Sequence, residues 1–127
     1  MRLNTLEYRR TAQKGWGMFT TKKIKAGTII ELAPVIVMTA AEKEMLNQTA
    51  LYNYIFDWEG DACCMALGCI SLYNHSSPSN CEYFQLYEEG TMYIQTVRDI
   101  VAQEELTINY NGDHDNHAPV WFETVRE

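Results

Sequence analysis

The sequence predicts a mostly β domain with one or two short helices. Short runs rich in β-branched and aromatic residues recur along the chain, and turn residues separate them at close intervals. Only one segment shows the start, the face and the stop of a helix. The length of 127 residues suits a single domain spanning the whole chain, large enough to bury a core without disulfides.

The elements follow in order. Arg2 to Tyr8 reads as an edge strand. The glycine turn Lys14-Gly15-Trp16-Gly17 leads into a second strand, Gly17 to Thr21. Ala26-Gly27 is a turn, and Thr28 to Leu32 and Val35 to Met38 are β-branched and apolar. Pro34 breaks or bulges that pair, because proline cannot donate to a ladder. Thr39 to Gln48 is the helix: Thr39 is its N-cap, Glu42 completes a capping box, Met45 and Leu46 supply an apolar face, and Asn47 ends it. Tyr52 to Trp58 is aromatic and strand-like, and Gly60-Asp61 turns the chain. Cys64 to Tyr73 is apolar with little periodicity and reads as either a buried strand or a short helix. Asn74 to Asn80 is a polar loop. Glu82 to Leu86 and Met92 to Val97 flank Glu88-Glu89-Gly90 as a hairpin. Leu106 to Tyr110 is a further strand, after which a turn-rich tail reaches Val120, Trp121 and Phe122.

The net charge of −7 argues against binding to a nucleic-acid backbone. It suits a basic partner such as a lysine-rich peptide, and equally suits simple solubility. No run of about 18 apolar residues exists. Residues Met1 to Arg10 lack the apolar centre of a signal peptide, so an intracellular protein with no membrane span is expected. Cys63, Cys64, Cys69 and Cys81 then read as buried free thiols. The adjacency of Cys63 and Cys64 does not fit zinc-ligand spacing, and no metal site is expected.

Three segments carry chemistry. In Lys14-Gly15-Trp16-Gly17, two glycines two apart permit a sharp turn and a close backbone approach to a ligand; taken alone, an ordinary tight turn with Trp16 on the core is the preferred reading. Tyr73-Asn74-His75-Ser76 continues to Asn80-Cys81-Glu82-Tyr83 and offers hydrogen bonds to a polar ligand, or forms a plain Asn/Ser-rich turn. A triad of His75 with Ser76 or Cys81 lacks the nucleophile elbow. Glu104-Glu105-Leu106-Thr107-Ile108-Asn109-Tyr110 is a strand ending in a tyrosine.

Their order and spacing resemble the SET-domain family of protein-lysine methyltransferases. Gly-x-Gly near the start, Asn-His-Ser in the middle and Glu-Leu-x-x-x-Tyr some thirty residues later are its signature, from about Gly15 to Tyr110. Ile24-Lys25-Ala26-Gly27-Thr28 and Tyr54-Ile55-Phe56-Asp57 are similar to further family segments. The resemblance implies a β-clip type fold of several small sheets around a pseudoknot, formed by the Asn74 and Tyr110 segments. It implies S-adenosylmethionine as cofactor, held by Lys14, Gly15, Trp16 and Gly17, with Asn74 on its amino group and His75 at its adenine. It implies a protein or peptide lysine entering a narrow channel from the opposite face, Tyr110 on the transfer axis, and Tyr83 as a channel tyrosine.

The chain departs from the family pattern in places. Ser77-Pro78-Ser79-Asn80 displaces the usual proline by one, Asn109 stands for a common Asp, and Ile108 sits where other members carry a channel aromatic. No cysteine-rich zinc segment follows Tyr110, so the tail from residue 111 is expected to supply a lid, with Trp121 or Phe122 covering the adenine. The short stretch between Leu32 and Ala66 fits a minimal catalytic module, completed by a homodimer or by the substrate protein. The displaced proline and absent zinc segment also motivate an alternative, a SET-fold interaction module with weak or no turnover.

Overall fold

The computed structural model describes residues 1–112. The expectations placed on residues 113–127, including a lid from Trp121 or Phe122, lie outside the described residues. Among the described residues, nine strands form two sheets. Strands β1 (Leu6–Thr11), β2 (Gly15–Thr20), β6 (Asn74–His75) and β9 (Glu105–Ile108) make a four-stranded sheet in the order β1-β2-β9-β6. Strands β3 (Ile29–Met38), β4 (Ile55–Asp57), β5 (Cys63–Ala66), β7 (Cys81–Leu86) and β8 (Thr91–Thr96) make a five-stranded sheet in the order β4-β5-β3-β8-β7. One core cluster draws on both sheets, with Met18, Leu106 and Ile108 from the first and Ile30, Met92 and Ile94 from the second, all fully buried. The mostly β expectation and the β7–β8 hairpin are met.

Several local readings need correction. The first strand begins at Leu6, not Arg2, because its partner sets its register: Thr11 faces Gly15 across the turn, and Thr11 Oγ1 accepts the Lys14 N–H while its hydroxyl donates to Gly15 O. Pro34 does not interrupt β3. Residues 29–34 pair with β8 and residues 35–38 with β5, so the residue lacking an N–H stands where the strand changes partner. Tyr52 to Trp58 is not one strand; a 3-10 helix, Ala50–Tyr54, precedes the three-residue β4. Tertiary context overrides the β preference of its tyrosines. Cys64 to Tyr73 holds both of its alternatives, β5 and then a 3-10 helix, Ile70–Leu72.

Helix α1 (Ala40–Leu46) has the expected capping box: Thr39 Oγ1 accepts the Glu42 N–H, and Glu42 Oε1 accepts the Thr39 N–H at 2.9 Å. Its expected apolar face buries nothing, and Met45 is 74% exposed. The cap and the Lys43–Asp57 ion pair hold it in place.

The polar loop after Tyr73 opens with β6, which pairs in parallel with β9: Asn74 faces Thr107 and His75 faces Ile108. Buried Asn80 fastens the far end of the loop to the same strand. Its Oδ1 accepts the Thr107 N–H at 2.8 Å, and its Nδ2 donates to Glu105 O and to Glu104 Oε2. This double attachment brings the middle and the end of the chain together. Asn80→Ala is therefore expected to cost about 3 kcal/mol of stability, since it orphans the buried Thr107 N–H and the partly buried Glu105 carbonyl. Denaturant midpoints at unchanged slope measure it.

Candidate active site

The parallel crossing of β6 and β9 places Tyr110 just past the end of β9, beside the Asn74 segment. Several contacts fix it. Its N–H donates to His75 Nδ1 at 3.1 Å, its hydroxyl donates to Tyr73 O at 3.0 Å, and its ring lies 5.2 Å from the His75 ring. With Nδ1 accepting, the His75 ring proton sits on Nε2.

Two clefts meet at Tyr110. One, of about 400 Å³, is lined by Lys14, Trp16, Leu72, Asn74 and His75. The other, of about 340 Å³, is lined by Tyr52, Phe56, Asp57, Tyr73 and Tyr83. Asn53, Tyr54, Ser71 and Tyr110 belong to both linings and form the shared wall. Ser71 Oγ donates to Tyr54 O at 2.8 Å, so the wall is internally braced.

In the first cleft, Lys14, Trp16, Asn74 and His75 stand together. Gly15 and Gly17 flank Trp16 without lining the cleft themselves. Gly15 sits at the turn with φ +72°, a left-handed conformation that side chains resist. Gly17 packs against side chains: a Cβ there would lie 2.6 Å from Glu105 Oε2 and 2.9 Å from Asn74 Nδ2. Asn74 Nδ2 spends its hydrogens on Trp16 O (3.0 Å) and Glu105 Oε2 (2.9 Å). Its Oδ1 is left as an acceptor, suited to a cationic ligand. Lys14 Nζ stands 3.6 Å from Glu105 Oε1.

In the second cleft, Tyr83 joins Tyr110. Its hydroxyl donates to Tyr110 O at 3.4 Å, and its ring packs 5.1 Å from Phe56. Burial first, then the Glu105 carboxylate and Tyr54, push the Tyr110 phenol up to about 12. It stays protonated at neutral pH and serves as a fixed hydroxyl rather than as a base.

Sequence reading missed Asn53, Tyr54 and Ser71, and gave Glu105 no role of its own. A serine inside the apolar run Cys64 to Tyr73 was a signal for Ser71, and Tyr54 lay in a segment singled out without a role. Glu105 opens the Glu-Leu-x-x-x-Tyr motif, but its contacts with Asn74 and Lys14 join three regions of the chain and have no local signal. The triad does not form: Cys81 is fully buried, and burial raises its thiol to about 12. All four cysteines are free and buried, as expected. Among the described residues no cluster of His, Cys, Asp and Glu could hold a metal ion, and no helix is long and apolar enough to cross a membrane.

This arrangement has relatives. The sequence profile of the SET domain matches residues 15–111. The histone-lysine N-methyltransferase, H3 lysine-37 specific, of Schizosaccharomyces pombe is 36% identical over 119 residues, covering 93% of this chain and 77% of that protein. A crystal structure of a candidate histone methyltransferase of Plasmodium falciparum shares the fold with a TM-score of 0.63, at 23% identity, over 93% of this chain and 96% of that one. Profile and relative together establish that the chain belongs to the SET-domain family of S-adenosylmethionine-dependent protein-lysine N-methyltransferases.

Proposed function

We propose that the cleft lined by Trp16, Asn74 and His75 holds S-adenosylmethionine, and that the cleft lined by Phe56, Tyr73 and Tyr83 takes the side chain of a histone lysine. The observation that carries this reading is the single wall common to both clefts, with Tyr110 in it. The cofactor cleft fits its ligand by size and by chemistry. Its volume lies within the roughly 300–1,000 Å³ of small-molecule sites, and the Asn74 Oδ1 acceptor matches an ammonium.

When bound, S-adenosylmethionine supplies a methyl group already activated by its sulfonium. The residues of the chain therefore orient, and none needs to form a covalent bond. Trp16 and His75 flank the cofactor cleft, and Asn74 is held by Glu105 so that its carbonyl oxygen meets the amino group. The Tyr110 hydroxyl proton is committed to Tyr73 O, which leaves oxygen lone pairs for weak C–H···O contacts with a polarised methyl. Exclusion of water from the lysine cleft when the substrate side chain enters between Tyr54, Phe56 and Tyr83 penalises the charged ammonium and favours the neutral amine.

A basic substrate segment agrees with the charge pattern. Residues 31–112, which build the lysine cleft, carry twelve acids against Lys43 and Arg98 alone. The S. pombe relative acts on a histone, by its name. We place the reaction inside the cell, where free thiols such as Cys63 and Cys64 persist.

Incubation with methyl-labelled cofactor and a mixture of core histones, followed by mass spectrometry, tests the reading. Label on one lysine is expected. Tyr83→Phe is expected to move the product toward higher methylation, because it removes a hydroxyl that occupies space and donates in the lysine cleft. Absence of label, with no cofactor binding by calorimetry, counts against the assignment and favours the interaction-module alternative.

A further inference from the structure

Glu31 lines neither cleft, yet it is a carboxylate with 1% exposure on β3. Burying an ionisable group is costly unless its oxygens are used. Both are. Oε2 accepts the Cys69 N–H at 2.7 Å, and Oε1 accepts the Tyr73 hydroxyl at 3.0 Å. Cys69 and Tyr73 are the N-cap and C-cap of the 3-10 helix Ile70–Leu72, so one carboxylate fastens both ends of that helix. Between the two ends, Ser71 lies in the shared wall and Leu72 in the cofactor cleft. The carbonyl of Tyr73 accepts the Tyr110 hydroxyl.

Gly68 shows how tightly the turn before this helix is seated. It has φ +62°, and a Cβ there would stand 2.6 Å from Glu31 Oε2. Burial holds the Glu31 carboxyl above the usual carboxylate range, against the pull of the Cys69 amide, the Tyr73 hydroxyl and Arg2. An apolar side chain at this point, like neighbouring Ile30, would fill space at lower cost. A packing role therefore does not account for a carboxylate here, whereas a directional role does.

We propose that Glu31 is a positioning residue for methyl transfer: through Tyr73 it sets where the Tyr110 hydroxyl stands between the two clefts. The proposal rests on the assignment of Tyr110 to the transfer axis. Two predictions separate it from a merely structural role. First, removing the Tyr73 hydroxyl lowers kcat while cofactor affinity holds. Second, the Tyr73 and Tyr110 hydroxyls act as a unit, so their losses do not multiply.

The experiment is single-turnover and steady-state kinetics of Tyr73→Phe, Tyr110→Phe and the double variant, with cofactor Kd and thermal midpoints recorded for each. Tyr73→Phe is expected to lower kcat by roughly ten-fold, and to lower it little further in the Tyr110→Phe background. Glu31→Gln keeps an acceptor for the Cys69 N–H and an amide donor for the Tyr73 oxygen, so it is expected to retain kcat within about three-fold. Glu31→Leu is expected to fall as Tyr73→Phe does. If Glu31→Leu does not fold, the tyrosine pair decides. A full multiplicative loss in the double variant, or an unchanged kcat in Tyr73→Phe where Tyr110→Phe is impaired, overturns the role of Glu31 alone. An unchanged kcat in Tyr110→Phe overturns the Tyr110 assignment and this proposal with it.

Discussion

Tyr110→Phe is expected to lower kcat by about a hundred-fold while leaving cofactor affinity within about two-fold, the size of effect seen when a preorganised polar group is removed from a reacting centre. The substitution removes one oxygen at the meeting point of the two clefts. It keeps the ring that packs on His75 and the backbone N–H that donates to His75 Nδ1. Loss of packing therefore cannot mimic the effect. The pH profile supplies an independent check. Tyr110 sits at about 12, raised by burial above its ordinary value, so it keeps its proton across the working range. The rate should rise with pH as the substrate amine deprotonates, with a free-lysine pKa near about 10.4 lowered by desolvation in the cleft. No second inflection from a tyrosine base is expected below about pH 11. A rate that survives Tyr110→Phe, or an inflection that disappears with the hydroxyl, would exclude the fixed-hydroxyl role.

What was legible in the sequence was local or strongly patterned. The capping box of Thr39 and Glu42 is complete within four residues, and the structure reproduces both of its hydrogen bonds. The β7–β8 hairpin was readable because alternation and the Glu-Glu-Gly turn agree. The site was legible only through the order of three motifs, since no one of them exceeds an ordinary turn or strand in information. What sequence could not supply was partner choice. Strand β6 is two residues long and exists because β9 runs beside it, against a local preference for turn. Pro34 looked like a break because a proline is read against one neighbour, whereas β3 has two and exchanges them at that point. Glu31 gave no signal, and the contacts of Glu105 could not be read from its motif, because each works on residues some thirty to ninety positions away. Met45 misled in the opposite sense: its apolar character predicted a buried face on α1 that the fold leaves exposed.

Gly17→Ala is expected to weaken cofactor binding by roughly ten- to a hundred-fold with a smaller loss of stability, following from overpacking of about 1–3 kcal/mol at a binding site. Glycines near a ligand are commonly read as room for the ligand itself. Here the added methyl would strike Glu105 Oε2 and Asn74 Nδ2, both well inside contact distance, and also approach Thr11 Cγ2 at 3.1 Å. The Asn74 amide would have to leave Trp16 O and Glu105, and with it the Oδ1 acceptor would move out of register with a bound ammonium. Gly15→Ala is the control. Nothing lies within 4 Å of a Cβ there, and its cost is the left-handed φ of +72° alone, about 1 kcal/mol of stability with little effect on affinity. Calorimetric titration with S-adenosylhomocysteine beside thermal unfolding of both variants separates the two glycines. Equal affinity losses in the two would mean that the turn, and not the Asn74–Glu105 contact, governs the cofactor cleft. A loss confined to Gly17→Ala would trace cofactor binding to the close seating of Glu105 and Asn74 against the bare Gly17 backbone of β2.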